Sequence, residues 1–139
     1  LKVFYNIESM EKLLLFINSL YLGLGAFFSF YVAPTLFRVL EKSQAGKVVE
    51  KVFPVYFSVG LVVSLLTLIL GFRYGKFLLL LAFFNSLLHS VHLFYVLPTA
   101  SRLKEVDYQA FMTWHGISMG INLLSLLITL VLCVYLIKR

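Results

Sequence analysis

The segment Asn85-Ser86-Leu87-Leu88-His89-Ser90-Val91-His92-Leu93-Phe94-Tyr95-Val96-Leu97-Pro98-Thr99-Ala100-Ser101-Arg102 decides how the chain is read. It closes a run of 25 uncharged residues between Lys76 and Arg102. A helix needs about 20 predominantly apolar residues to cross a bilayer, so this run suffices for one crossing. Working outward, three more windows of the same kind appear: 25 residues between Lys12 and Arg38, 21 between Lys51 and Arg73, and 30 between Asp107 and Lys138. Backbone groups in lipid must be paired within their own segment, so each window reads as a helix. The expected fold is all-α, an integral membrane four-helix bundle. Its single domain covers 1–139, with spans at roughly 13–37, 53–72, 77–98 and 111–137.

Composition agrees with that reading. The 139 residues are 61% apolar and 13% charged, whereas a soluble domain is about half apolar and a quarter charged. The single Cys133 cannot close an internal disulfide. The net charge of +6 comes from cations at the edges of the apolar runs, where they anchor a membrane protein. Their placement excludes a nucleic-acid surface. Leu1 to Lys12 reads as an interfacial flank, Arg38 to Lys51 as a loop with a short surface helix, and Arg73-Tyr74-Gly75-Lys76 as a tight turn. An even number of spans puts both termini on one side. Six cations then lie on each side, so the positive-inside rule is balanced. The basic turn and the C-terminal Lys138-Arg139 tip the expectation towards termini inside.

The quoted segment ends in a repeat. Phe94-Tyr95-Val96-Leu97-Pro98-Thr99-Ala100-Ser101-Arg102 matches Phe30-Tyr31-Val32-Ala33-Pro34-Thr35-Leu36-Phe37-Arg38 at six of nine positions. Further on, Ser58-Val59-Gly60 is echoed by Ser118-Met119-Gly120. Two pseudo-repeated helical hairpins, related by an axis along the membrane normal, account for both matches. Proline lacks a donor and crowds the carbonyl four residues earlier, so each helix should kink or stop there. Tyr31, Tyr95 and Trp114 suit the interface. Arg38 and Arg102 would anchor to lipid phosphate or form a paired clamp for an anion such as a haem propionate or a headgroup.

Polar residues inside the windows fall on single faces. At about 100° per residue, Asn85, His89 and His92 share an arc of the third span. His115, Ser118, Asn122, Ser125 and Thr129 do so on the fourth, Asn18, Gly25 and Ser29 on the first, and Tyr56, Gly60, Ser64, Thr67 and Gly71 on the second. These faces should meet in the bundle centre. One antiparallel register would pair His92 with His115, Asn85 with Asn122, and His89 with Ser118. His89, His92 and His115 would then suit a transition metal. His92 and His115 could instead ligate a b-type haem, with Arg38 and Arg102 at its propionates. The alternative is that His, Asn and Ser simply hydrogen-bond between helices.

No window contains Asp or Glu, and no P-loop, G-x-G-x-x-G, Cys-x-x-Cys or Ser/His/acid set is present. The reading therefore leans away from an enzyme. Ala33-Pro34-Thr35-Leu36-Phe37-Arg38, Val52-Phe53-Pro54-Val55-Tyr56-Phe57 and Trp114-His115-Gly116-Ile117-Ser118 with Asn122 resemble the transmembrane protein 205-like family. That resemblance implies four spans, a domain without an established activity, and a loose link to heavy-metal tolerance. A more distant likeness is to haem-binding four-span proteins of the copper-resistance and protoporphyrinogen-oxidase groups. In the latter a His lies near the start of the first span, where this chain has Asn18. The functional expectation is a membrane protein binding a metal ion or b-type haem between its third and fourth spans. The alternative is a non-catalytic accessory subunit of a larger membrane complex or a homo-oligomer, with an oxidoreductase acting on a porphyrin or quinone as a third reading.

Overall fold

Apolar runs of this length have one way to satisfy their backbone in lipid, and the computed structural model, which describes residues 6–139, shows that outcome throughout. The helices are α1 (Ile7–Phe27), α2 (Ala33–Val39), α3 (Lys42–Leu70), α4 (Lys76–Val91), α5 (Leu97–Leu103) and α6 (Tyr108–Lys138). Single π-helical turns, Phe28–Val32 and His92–Val96, join α1 to α2 and α4 to α5. Four continuous helical spans result: Glu8–Val39, Lys42–Leu70, Lys76–Leu103 and Tyr108–Lys138, each long and apolar enough to cross a membrane. No strand occurs among the described residues. The expected interfacial flank lies partly in residues 1–5, outside those described.

Local chemistry sets the ends. The Asn6 side chain accepts from the Glu8 and Ser9 amides at 2.8 and 3.4 Å, capping α1. Asp107 caps α6 through the Ala110 amide at 3.1 Å. Gly75 adopts φ 102°, which a side chain would resist, and this turns the chain sharply into α4. The first loop differs from expectation. It shrinks to Leu40–Glu41, because Lys42–Lys51 is not a separate surface helix but the opening turns of α3. Nothing in that stretch interrupts helical periodicity, so it continues into the span.

The spans alternate in direction, each packs on the next, and α6 returns to α1 to close the bundle. At the end carrying the termini, Leu14, Tyr74, Leu78, Leu132 and Leu136 form a buried apolar plug. Nearer the middle, Tyr21, Tyr56, Phe57 and Leu126 form a second cluster.

The repeat has a structural counterpart. Neither proline stops its helix. Pro34 and Pro98 cannot donate to Phe30 and Phe94, and the ladder widens just upstream instead. The Ala33 amide reaches the Phe28 carbonyl, and the Leu97 amide reaches the His92 carbonyl. The Ser-x-Gly echo does not extend to surroundings: Ser118 and Gly60 are buried, whereas Ser58 and Gly120 are exposed.

Candidate functional site

Of the residues placed on the four polar faces, all are buried except Ser29 and His115, which are half-buried. Each hairpin carries one asparagine–threonine bolt. Asn18 Nδ2 donates to Thr67 Oγ1 at 2.9 Å, and Asn85 Nδ2 donates to Thr129 Oγ1 at 3.0 Å. Each threonine passes its own proton to the carbonyl four residues back, Val63 and Ser125 respectively. Across the bundle, the Tyr56 hydroxyl donates to Asn122 Oδ1 at 2.9 Å, and Asn122 Nδ2 donates to Ser29 Oγ at 2.8 Å.

The histidines join this system unequally. Ser125 Oγ lies 3.0 Å from Asn85 Oδ1 and 2.9 Å from His89 Nε2. Because Thr129 donates to a carbonyl, it can only accept from Asn85, and this turns Asn85 Oδ1 towards Ser125. The single serine proton then goes to Asn85. His89 must carry its proton on Nε2 to donate to Ser125, and its Nδ1 is left as a lone pair. His92 Nε2 shares a 2.5 Å hydrogen bond with Ser118 Oγ. Both imidazoles are completely buried, and neither Nδ1 has a hydrogen-bond partner. Phe57 packs on His92 with ring centroids 3.8 Å apart. A side chain at position 60 would press on the His89 ring and the Tyr21 hydroxyl, both 2.5 Å from an added Cβ.

The inferred register is corrected. His92 pairs with Ser118 rather than His115, His89 with Ser125 rather than Ser118, and Asn85 with Ser125 and Thr129 rather than Asn122. Every partner on α6 sits three or seven residues further along, one or two helical turns. Such slips return to the same face, so periodicity specifies the direction a residue points but not its level. His115 consequently stands apart from the other two, half-buried and stacked on Phe111. Among the described residues, no group of three His, Cys, Asp or Glu is placed to hold a metal ion. The three-histidine set is not assembled.

What His115 faces is a cavity of about 690 Å³ at the end of the bundle bearing the first and third loops. Four elements wall it: α2 through Phe37, the opening turns of α3, the end of the third span through α5, and the start of α6. Phe53, Leu93, Leu97, Phe111 and Met112 supply apolar walls, and Ser118, bound to His92, lies at its inner end. Lys42, Ser43, Glu50, Ser101 and Lys104 surround the mouth. There Glu50 accepts from Ser101 at 3.0 Å and pairs with Lys104 at 3.5 Å. Arg38 and Arg102 are exposed and do not line the cavity, with Arg38 donating to Thr35 at 3.3 Å. Sequence reasoning missed this vestibule because it treated Lys42–Lys51 as a surface loop. The signal was present as a helical spacing of small and apolar positions at Gly46, Val49, Phe53 and Pro54.

Comparison with known proteins gives two findings. Residues 16–109 match the family described as a domain of unknown function, DUF4149. An uncharacterized protein of Aquifex aeolicus (strain VF5) is 55% identical over 120 residues, covering 86% of this chain and 91% of that protein. No solved structure matches the chain. These findings carry neither the transmembrane protein 205-like label nor the likeness to the copper-resistance and protoporphyrinogen-oxidase groups.

Proposed function

The chain belongs to the DUF4149 family, defined by sequence and not by activity, and on that premise we propose that it is a ligand-binding membrane protein whose site is the vestibule. One observation carries the proposal: a cavity of about 690 Å³, within the usual range for small-molecule sites, has apolar walls and a few converging polar groups. His115 is the imidazole that touches the ligand. The Ser118–His92 pair closes the inner end, and the asparagine–threonine bolts hold the walls in register.

This reading narrows the ligand chemistry. A metal ion held by three imidazoles does not fit, because His115 stands apart from His89 and His92. A b-type haem in the vestibule would find one axial imidazole, His115, since His92 does not line the cavity and its Nε2 is bonded to Ser118. The charge-free windows offer no carboxylate for acid or base work, and the one carboxylate lining the vestibule, Glu50, is held at the mouth by Ser101 and Lys104. Binding is therefore a better description than catalysis.

The test is to purify the protein in mild detergent, record its absorption spectrum, and extract and weigh any small molecule retained. Gly46→Phe supplies the comparison, because its ring would project into the vestibule mouth while the surrounding helix stays solvated. Stoichiometric ligand in the native protein and none in Gly46→Phe is the expected result. Equal content in both, or release of the ligand only by disrupting a co-isolated membrane complex, would sink the proposal in favour of an accessory subunit.

A further inference from the structure

Resting on the reading of the vestibule as a binding site, we infer that its occupant is a lipid-derived anion: a single long apolar chain ending in a carboxylate or phosphate, its head at the mouth and its chain directed towards Ser118. Three observations carry this. The first is shape. On α6 the lining runs from Tyr108 to Ser118, which is about 15 Å at 1.5 Å per residue, parallel to the helices and hence to the acyl chains of a bilayer. The second is level. The mouth, at Lys42 and Lys104, lies just outside the charge-free windows that end at Lys51 and Arg102, on the side where lipid headgroups sit. The third is chemistry. The lining cations, Lys42 and Lys104, are confined to the mouth, while the walls below are aliphatic and aromatic apart from His115, with Ser118 at the inner end. The inner end makes no demand for a polar ligand atom on the serine side, because Ser118 is already bonded to His92.

Glu50 sharpens the inference. Its carboxylate accepts from Ser101 and pairs with Lys104, so at rest it occupies the partners an incoming anion needs. An anionic head would compete with Glu50 for Lys104 and Ser101 and would also gain Lys42. Removing the Glu50 charge should therefore tighten binding of an anion and leave a neutral chain unaffected.

Trp114, the single tryptophan, precedes His115 on α6 and packs on Tyr95 outside the vestibule lining, so its emission senses a brominated chain held within a turn of it. In detergent, its emission is titrated with a fatty acid whose extended chain matches the lining of about 15 Å, brominated towards the chain end, with the matching alcohol, and with haemin. Saturable quenching by the acid is expected. It should weaken roughly two- to fivefold in Lys42→Gln, an exposed position that leaves the fold intact, strengthen by a similar factor in Glu50→Gln, and disappear in Gly46→Phe. Equal binding of acid and alcohol, or a haemin complex with no response to the acid, overturns the anion while the binding reading stands. No response to any of the three, with Gly46→Phe indistinguishable from the native protein, overturns both.

Discussion

At the scale of single residues, one hydroxyl carries more than its share. Ser125 gives its proton to Asn85 and takes one from His89, so it joins two buried polar groups that have no water to turn to. Ser125→Ala strands both at once. Leaving a buried group unsatisfied costs about 1–3 kcal/mol, so the substitution should lower stability in micelles by that order, measured by thermal or denaturant unfolding. Ser58→Ala is the control, since Ser58 is exposed and bonds only to the Pro54 carbonyl of its own helix. Its effect should stay within about 0.5 kcal/mol. Equal effects would mean that the network adds nothing. The two glycines of the Ser-x-Gly echo make a second contrast. Gly60→Ala drives a methyl against His89 and Tyr21, whereas Gly120→Ala meets nothing within 4 Å. The first should lower the melting temperature, and the second should leave it unchanged or raise it, because alanine favours a helix by up to about 1 kcal/mol.

At the scale of elements, the sequence shows which face of each helix turns inward but not how far along its axis each face engages. The polar stripes of all four spans are legible because 3.6-residue periodicity records direction. The pairing level is not, because a slip of three or seven residues preserves that direction, and the true partners of Asn85, His89 and His92 lie that far along α6. The π turns were equally hidden. A proline tells that the carbonyl four residues back loses its donor, but a break, a kink and a widened turn all answer that loss. The second turn of the bundle is better specified. Gly75 holds φ 102°, and the Tyr135 hydroxyl, which donates to the Tyr74 carbonyl, lies beside it. Gly75→Ala combines backbone strain with a methyl 2.7 Å from that hydroxyl. A loss of about 1–3 kcal/mol is expected, with the α3–α4 turn becoming the first site of proteolysis. Cleavage unchanged from the native pattern would show that the turn tolerates another conformation.

At the scale of the whole molecule, four apolar helices and their up-and-down order were readable from the charge-free windows alone. The vestibule was not, since it forms only where the end of the first span, the start of α3, the end of the third span and the start of α6 come together. The bundle also makes a topological prediction. Ser43 and Ser101 lie at one end, and Lys138 lies at the other with the termini. Cys133 is buried, so the native protein should resist a membrane-impermeant thiol reagent. Ser43→Cys and Ser101→Cys should react from the same side of sealed vesicles, and Lys138→Cys only from the opposite side. Labelling of Ser43→Cys and Lys138→Cys from one side would contradict the four-span arrangement.

The plug of Leu14, Tyr74, Leu78, Leu132 and Leu136 gives this end of the bundle a further meaning. A conduit needs two doors, and here the axis ends blind beneath the turn between the second and third spans. Whatever enters past Lys42 and Lys104 has to depart by the same route. On the proposed reading, the protein samples one leaflet or one compartment, and its occupancy tracks the concentration there. On the same reading, a ligand released at the mouth returns to the side it came from, and the gradient across the membrane does no work on it.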